Sequence, residues 1–211
     1  MGDLLYDPDV LTAVGSLLTG AAAIWAAHTA RKGLMSWRVQ LRGQVDHELA
    51  KRSLLAVYKF RDSLYGVRHP AMSNEEMALT HEEVKTIVAG SERSAGVINA
   101  YAKRWKRHSG ASREMDAVLL EADALWGRDF RNLFGPLKDL EHELFSYISL
   151  YIDAHLRGDS ELALRRREII GERRDIIFDY LDDEKDEFRQ EFEKALQSLE
   201  GYLRSKLRAG S

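Results

Sequence analysis

The chain has no cysteine. That removes a disulfide framework, a thiolate zinc site and a cysteine nucleophile in one step. It has only three prolines, Pro8, Pro70 and Pro136. Scarce proline beside abundant Leu, Ala, Glu and Arg favours helix throughout. No stretch alternates apolar and polar residues with the period of a strand, no glycine-rich loop follows a strand, and no internal repeat occurs. The fold class expected is all-α. With 45% hydrophobic and 31% charged residues in 211, a packed core is within reach and disorder is not the default.

Charge is absent from a second place. Val10 to Ala30 carries no Asp, Glu, Lys or Arg over 21 residues, roughly 31 Å of helix and the thickness of a bilayer's hydrocarbon core. Asp3, Asp7 and Asp9 precede the run, and Arg31, Lys32, Arg38 and Arg42 follow it. By the positive-inside rule the basic end is cytoplasmic and the N-terminus outside. Tyr6 and Trp37 stand where interfacial aromatics anchor, so the expected membrane-interface set is Tyr6, Arg31, Lys32, Trp37, Arg38 and Arg42. A cleaved signal peptide is disfavoured, because its leading region should be basic. The expected divisions are a short extracytoplasmic N-terminus at 1–9, a transmembrane helix at 10–30, a basic amphipathic juxtamembrane helix at 31–69 and a helical bundle body at 70–211. Gly15, Ser16 and Gly20 line the span. Ser16 and Gly20 form a small-xxx-small pair, so they are candidates for helix–helix packing in a possible homo-oligomer. The competing expectation is an apolar helix buried inside a soluble bundle.

Net charge is -3, which disfavours a nucleic-acid partner, but the charge is unevenly spread. Residues 31–69 hold nine bases against three acids, and residues 114–160 hold ten acids against four bases. The two blocks either pack on each other or face separate partners.

In the body, apolar spacings of three and four mark a helix from Leu34 to Leu64, ended by Gly66 and Pro70. Capping-box pairs Ser73/Glu76 and Thr80/Glu83 predict a helix over 74–89. Helices follow over 92–107 and from Ser112 to about 134, with a break or kink at Gly135-Pro136. Further helices run over 137–156, from Ser160, and from Asp182-Asp183 with Phe188, Phe192, Leu196, Leu199, Leu203 and Leu207 on one face.

Chemistry is sparse. The acidic run Asp182 to Glu187 lacks the spacing and glycine of a calcium loop and reads as a solvated helix start. The seven histidines include no pair four apart with a flanking glutamate, and Glu141, His142 and Glu143 are adjacent, so they point in different directions. Arg165, Arg166, Arg167, Arg173 and Arg174 alternate with acids, the pattern of a salt-bridged surface. Lys103, Arg104, Lys106 and Arg107 cluster around Trp105 and could touch phosphates, a lipid headgroup or a partner. Glu121 could form a buried ion pair with Arg104 if the helices on either side of His108-Ser109-Gly110 pack antiparallel. No catalytic residue, metal site or cofactor is expected.

The segments Trp37-Arg38-Val39-Gln40-Leu41-Arg42-Gly43, Glu48-Leu49-Ala50, Ala56 to Asp62 and Arg68-His69-Pro70 resemble a group of small bacterial membrane-anchored helical proteins of unknown function. Arg104-Trp105, Leu120 to Gly127 and the acidic start of the last helix are similar too. The resemblance implies a bacterial inner-membrane protein with one anchor and a helical body, and it carries no activity. The function expected is a non-enzymatic, membrane-tethered interaction or regulatory module on the cytoplasmic face, with membrane lipid and an unidentified protein as partners. The alternatives are an oligomeric effector that forms pores or disrupts the membrane, for example in phage defence, and a soluble bundle.

Overall fold

In a computed structural model, residues 8–80, 92–156, 161–180 and 185–209 are described. Among them there is no strand. The elements are α1 (Pro8–Arg68), α2 (Asn74–Met77), α3 (Glu92–Trp126), α4 (Arg128–Tyr151), a π-turn (Ile152–Leu156), α5 (Glu161–Gly171) and α6 (Glu187–Ala209).

The body is a bundle in which α3 and α6 pack against the C-terminal third of α1, and α4 packs against α3 and α6. Its core is drawn from stripes legible at helical spacing. Leu49, Val57, Phe60 and Leu64 of α1 meet Met115 and Leu119 of α3, Leu137 and Leu144 of α4, and Phe192, Leu196, Leu199 and Leu203 of α6. Each of these is nearly or fully buried. A side chain of this size buried in full stabilises by roughly 1.5–3 kcal/mol. The segment expected as a juxtamembrane helix therefore divides in two: residues from Leu49 onward belong to the core, and those before it do not.

Gly33, Gly43 and Gly66 do not bend or end α1, which runs on to Arg68. Likewise α3 passes straight through His108-Ser109-Gly110. A glycine in a helix interior costs only about 1 kcal/mol, and burial of His108, Ser112 and Met115 on the same face outweighs it. Pro136 sits inside α4; the chain breaks at Gly127 instead, whose φ of 85° and ψ of -175° suit glycine alone. The Ser73/Glu76 capping box forms with both bonds in place, and the helix it starts is only four residues long as described. Glu83 of the second capping box, the Asp182-Asp183 cap and Ser160 lie outside the described residues. The acid that caps α6 is Asp186, which accepts the Arg189 backbone N–H at 2.9 Å.

Two buried arginines fix the connections. Arg68, fully buried, donates to the carbonyls of Ile176 and Phe178 and to both Asp186 oxygens at 2.8–3.0 Å, with its guanidinium 4.5 Å from the Phe188 ring. Arg104, 4% exposed, donates to the carbonyls of His69 and Ala71 and to the Glu76 carboxylate. Glu76 is held down to about 2 by the Arg104 bond against burial, with help from the Ser73 backbone N–H. The expected Arg104–Glu121 pair is therefore corrected. Both residues lie on the single helix α3, 17 positions and about 25 Å apart along its axis, and Glu121 binds Arg52 on the surface at 2.9 Å.

Candidate functional site

The first 40 residues of α1 form an arm. Two bonds mark where it joins the body: Trp126 Nε1 donates to Asp46 Oδ1 at 3.0 Å, and His47 Nδ1 donates to the Leu207 carbonyl at 3.1 Å. N-terminal of these, α1 carries exposed side chains. Leu17 and Ile24 are 74% exposed and Trp25 75%, so the apolar run is not buried against the rest of the chain. That departs from the alternative in which this helix is buried inside the bundle.

The expected transmembrane helix is also not supported. Among the described residues, no helix is long and apolar enough to cross a membrane. Composition is the cause. Between residues 14 and 30 the large aliphatic side chains are Val14, Leu17, Leu18 and Ile24, diluted by Gly15, Ser16, Thr19, Gly20, His28, Thr29 and alanine.

The dilution has a pattern. Val14, Leu17, Leu18, Ala21, Ile24 and Trp25 recur at three and four and so share one face. Further along α1, Leu49, Ala50, Val57, Phe60 and Leu64 turn to the core, and His28, Arg31, Lys32, Arg42 and Asp46 separate the two stripes. The opposite face is small. Hydroxyls on the arm turn back on their own helix: Ser16 to the Thr12 carbonyl, Thr19 to Gly15 and Thr29 to Trp25, at 2.8–2.9 Å. Nothing lies within 4 Å of a side-chain carbon built on Gly15 or Gly20. Arg31, Lys32, Trp37, Arg38 and Arg42 are all exposed. Tyr6 lies outside the described residues.

Where the arm leaves the body, α1 and the ends of α3 and α6 enclose a groove of about 1280 Å³. Its walls include Met35, Val39, Leu125 and Trp126, together with Arg38, Arg42, Lys206 and Asp46. The Lys206 ammonium sits 5.3 Å from the Trp126 ring centre.

The second feature is a buried polar network that sequence reading did not find. His108, fully buried, lies between the Ser63 hydroxyl (2.8 Å from Nδ1) and Glu141 (2.9 Å from Nε2). Lys138 adds an ion pair to Glu141 at 2.5 Å and bonds the Ser112 hydroxyl at 2.8 Å. Burial pushes the Glu141 carboxyl up, but donation from His108, Lys138 and Ser112 outweighs it and holds the group at about 2. Serine, histidine and carboxylate in succession resemble a hydrolytic triad, and two observations set the arrangement apart from one. Ser63 spends its proton on the Phe60 carbonyl at 2.8 Å, so it is not poised to give it to His108. The adjoining cavity of about 310 Å³ is lined by Trp105, Arg113, Glu141 and His142 among others, not by Ser63 or His108. The network joins α1, α3 and α4, and its role is to lock them in register. Its three chain segments are dozens of residues apart, so no local motif announces it.

The other expected sites resolve more simply. Lys103 donates to the carbonyls of Glu75 and Ala78, closing the loop before α3. Lys106 and Arg107 are exposed. Trp105 is half-buried against Phe145 and His108. Arg165, Arg166 and Arg174 pair with Glu161, Asp153 and Glu143, acids other than the interleaved Glu168, Glu172 and Asp175. Part of the basic block meets the acidic one through Arg52–Glu121 and Lys59–Glu114, while Arg31 to Arg42 face outward. Among the described residues no group of His and carboxylates could hold a metal ion. Comparisons with protein-family models, with curated proteins and with solved structures give no match, so function must be read from the arm, the groove and the network themselves.

Proposed function

We propose that the chain is a non-enzymatic tethering module that attaches a helical body to the cytoplasmic face of a bacterial membrane and presents it to a protein partner. The observation that carries this reading is the exposure of Leu17, Leu18, Ile24 and Trp25 on a helix that has left its own bundle. Water contact with such a face is unfavourable by roughly 1.5–3 kcal/mol for each large side chain. The satisfied hydroxyls of Ser16, Thr19 and Thr29 lower the cost of an apolar environment. Arg31, Lys32, Arg38 and Arg42 then meet anionic headgroups. The reading asks for insertion of one apolar face, or of several arms together, and not for a lone span.

Flotation of the full chain with phospholipid vesicles tests it. The wild-type chain should rise with the vesicles, and Leu17→Glu/Ile24→Glu should leave it at the bottom of the gradient. A wild-type chain that stays in the aqueous layer refutes tethering.

A second reading is favoured by the open faces of Gly15 and Gly20: arms that assemble and leak ions. Overexpression should then depolarise cells, and Gly20→Leu should abolish the effect.

A further inference from the structure

The groove at the root of the arm has a composition that the arm alone does not explain. Three cations, Arg38, Arg42 and Lys206, line it with one carboxylate, Asp46. That carboxylate already accepts the Trp126 indole N–H. Lys206 comes from the far end of α6 and rests over the Trp126 and Tyr202 rings at 5.3 and 5.4 Å. The positive charge of the groove is thus assembled from two segments more than 160 positions apart in sequence and exceeds the one carboxylate among its walls by two. Beside it stand Met35, Val39 and Leu125, each more than half exposed. Cations beside an apolar wall suit an amphiphile with an anionic head. The capacity exceeds the 300–1,000 Å³ of ordinary small-molecule pockets, as fits a ligand held by one end.

We infer that this groove is a binding site for the phosphate and glycerol portion of an anionic phospholipid. Arg38, Arg42 and Lys206 take the phosphate, and Met35, Val39, Leu125 and Trp126 take the glycerol backbone and first methylenes. The inference rests on the tethering reading and adds to it: the body itself, through Lys206, selects the lipid and sets the angle at which the arm meets the surface. A planar guanidinium grips a phosphate through two parallel bonds, and the ammonium of Lys206 adds a point charge from the opposite wall.

The test uses the full chain and a short-chain phosphatidylglycerol kept below its micelle concentration, followed by the Trp126 indole N–H resonance. A saturable shift is expected with that probe and not with the phosphatidylcholine of the same chain length. Arg42→Gln/Lys206→Gln should weaken binding roughly 25-fold, about five-fold for each lost cation. Lys51→Gln/Lys194→Gln removes the same charge at exposed positions outside the groove and should leave the shift intact. Neither pair carries an ion-pair partner in the bundle, and an unchanged melting temperature verifies that the variants fold. No saturable shift, or an equal one in Arg42→Gln/Lys206→Gln, overturns the inference. The same shift with inorganic phosphate also overturns it, leaving a phosphate site in place of a lipid site. Flotation with vesicles of pure phosphatidylcholine separates the two readings. Retention of flotation without the groove signal leaves tethering standing, and loss of flotation with every vesicle composition removes both.

Discussion

Glu141→Gln is the substitution that most directly probes the network holding α1, α3 and α4 together. The carboxyl ionises near 2 in the folded chain against an ordinary 4.5. Its folded value is depressed, so its contribution is fully present above pH 4.5 and is lost as pH falls toward 2. At about 1.36 kcal/mol per pH unit the contribution is about 3 kcal/mol at neutral pH. Urea unfolding of the wild-type chain at a series of pH values should show that share of the stability draining away across this window. In Glu141→Gln the amide cannot titrate, so that share of the acid slope disappears. The variant should also be weaker at pH 7 by about 1–3 kcal/mol, because the donors from His108, Lys138 and Ser112 lose their carboxylate acceptor while Asp116 remains as the ion partner of Lys138. Parallel acid slopes in the two proteins would refute the reasoning, because they would mean that the Glu141 carboxyl titrates alike in the folded and unfolded chain.

The other expectations concern single physical terms. Arg104→Met should cost about 3–5 kcal/mol in chemical denaturation, and the Glu76 carboxyl should climb from about 2 toward 4.5 in a carboxyl-resolved titration. Asp186→Asn keeps an acceptor for the Arg189 N–H but leaves the Arg68 guanidinium uncompensated at 0% exposure; a loss of about 3–5 kcal/mol is expected, and a near-neutral result would show the cap to be its main role. Gly127→Ala should destabilise by about 1–3 kcal/mol from backbone strain alone, since nothing stands within 4 Å of the added carbon. Ile24→Ala should leave the melting temperature of the body unchanged, because Ile24 meets no part of it.

Amphipathic spacing made the core legible, because burial in a helical bundle imposes a period of 3.6 and little else. The stripe on α6 from Phe188 to Leu203 lies where the spacing put it, but on α1 the expected stripe holds only at Leu49 and Leu64: Leu34, Trp37, Leu41, Val45 and Leu55 are exposed, and Val57 and Phe60 take the core face instead. Local breakers misled. Ser109-Gly110 and Pro136 are weak obstacles beside the apolar area that a longer α3 and α4 bury, whereas Gly127 stops a helix by adopting a conformation closed to other residues. The Arg104–Glu121 expectation failed through the same error, since it needed a turn at Gly110 that the chain does not make. Glu141, His142 and Glu143 did diverge as adjacent helical residues must: the first is buried, the second exposed and the third paired with Arg174. What no local pattern could supply was the company each residue keeps. Arg68 read only as one base of a charged block and Arg104 as half of a pair with Glu121, yet both are among the least exposed polar groups of the described residues, each with partners the sequence did not suggest. Their burial follows from loop carbonyls that need donors, and loop paths leave no periodic trace.

The arm is the opposite case: its composition was plain and its meaning depended on the fold. Helix α1 carries a core face from Leu49 to Leu64 and, on the arm, a separate apolar face from Val14 to Trp25, with His28, Arg31, Lys32, Arg42 and Asp46 between them. Its last third is covered by α3 and α6, whose ends both stop beside Asp46 and His47. A chain selected only for a folded body would gain nothing from carrying a second apolar face some 30 residues further into water, at roughly 1.5–3 kcal/mol for each large side chain left uncovered. The cations that follow the run are likewise unspent on the bundle, which draws its ion pairs on α1 from Arg52, Lys59 and Arg68. Apolar surface and positive charge are thus set aside together, at one end, on the one helix that outruns its neighbours. An apolar phase edged with negative charge satisfies both at once, and a second protein would have to match both along the same helix.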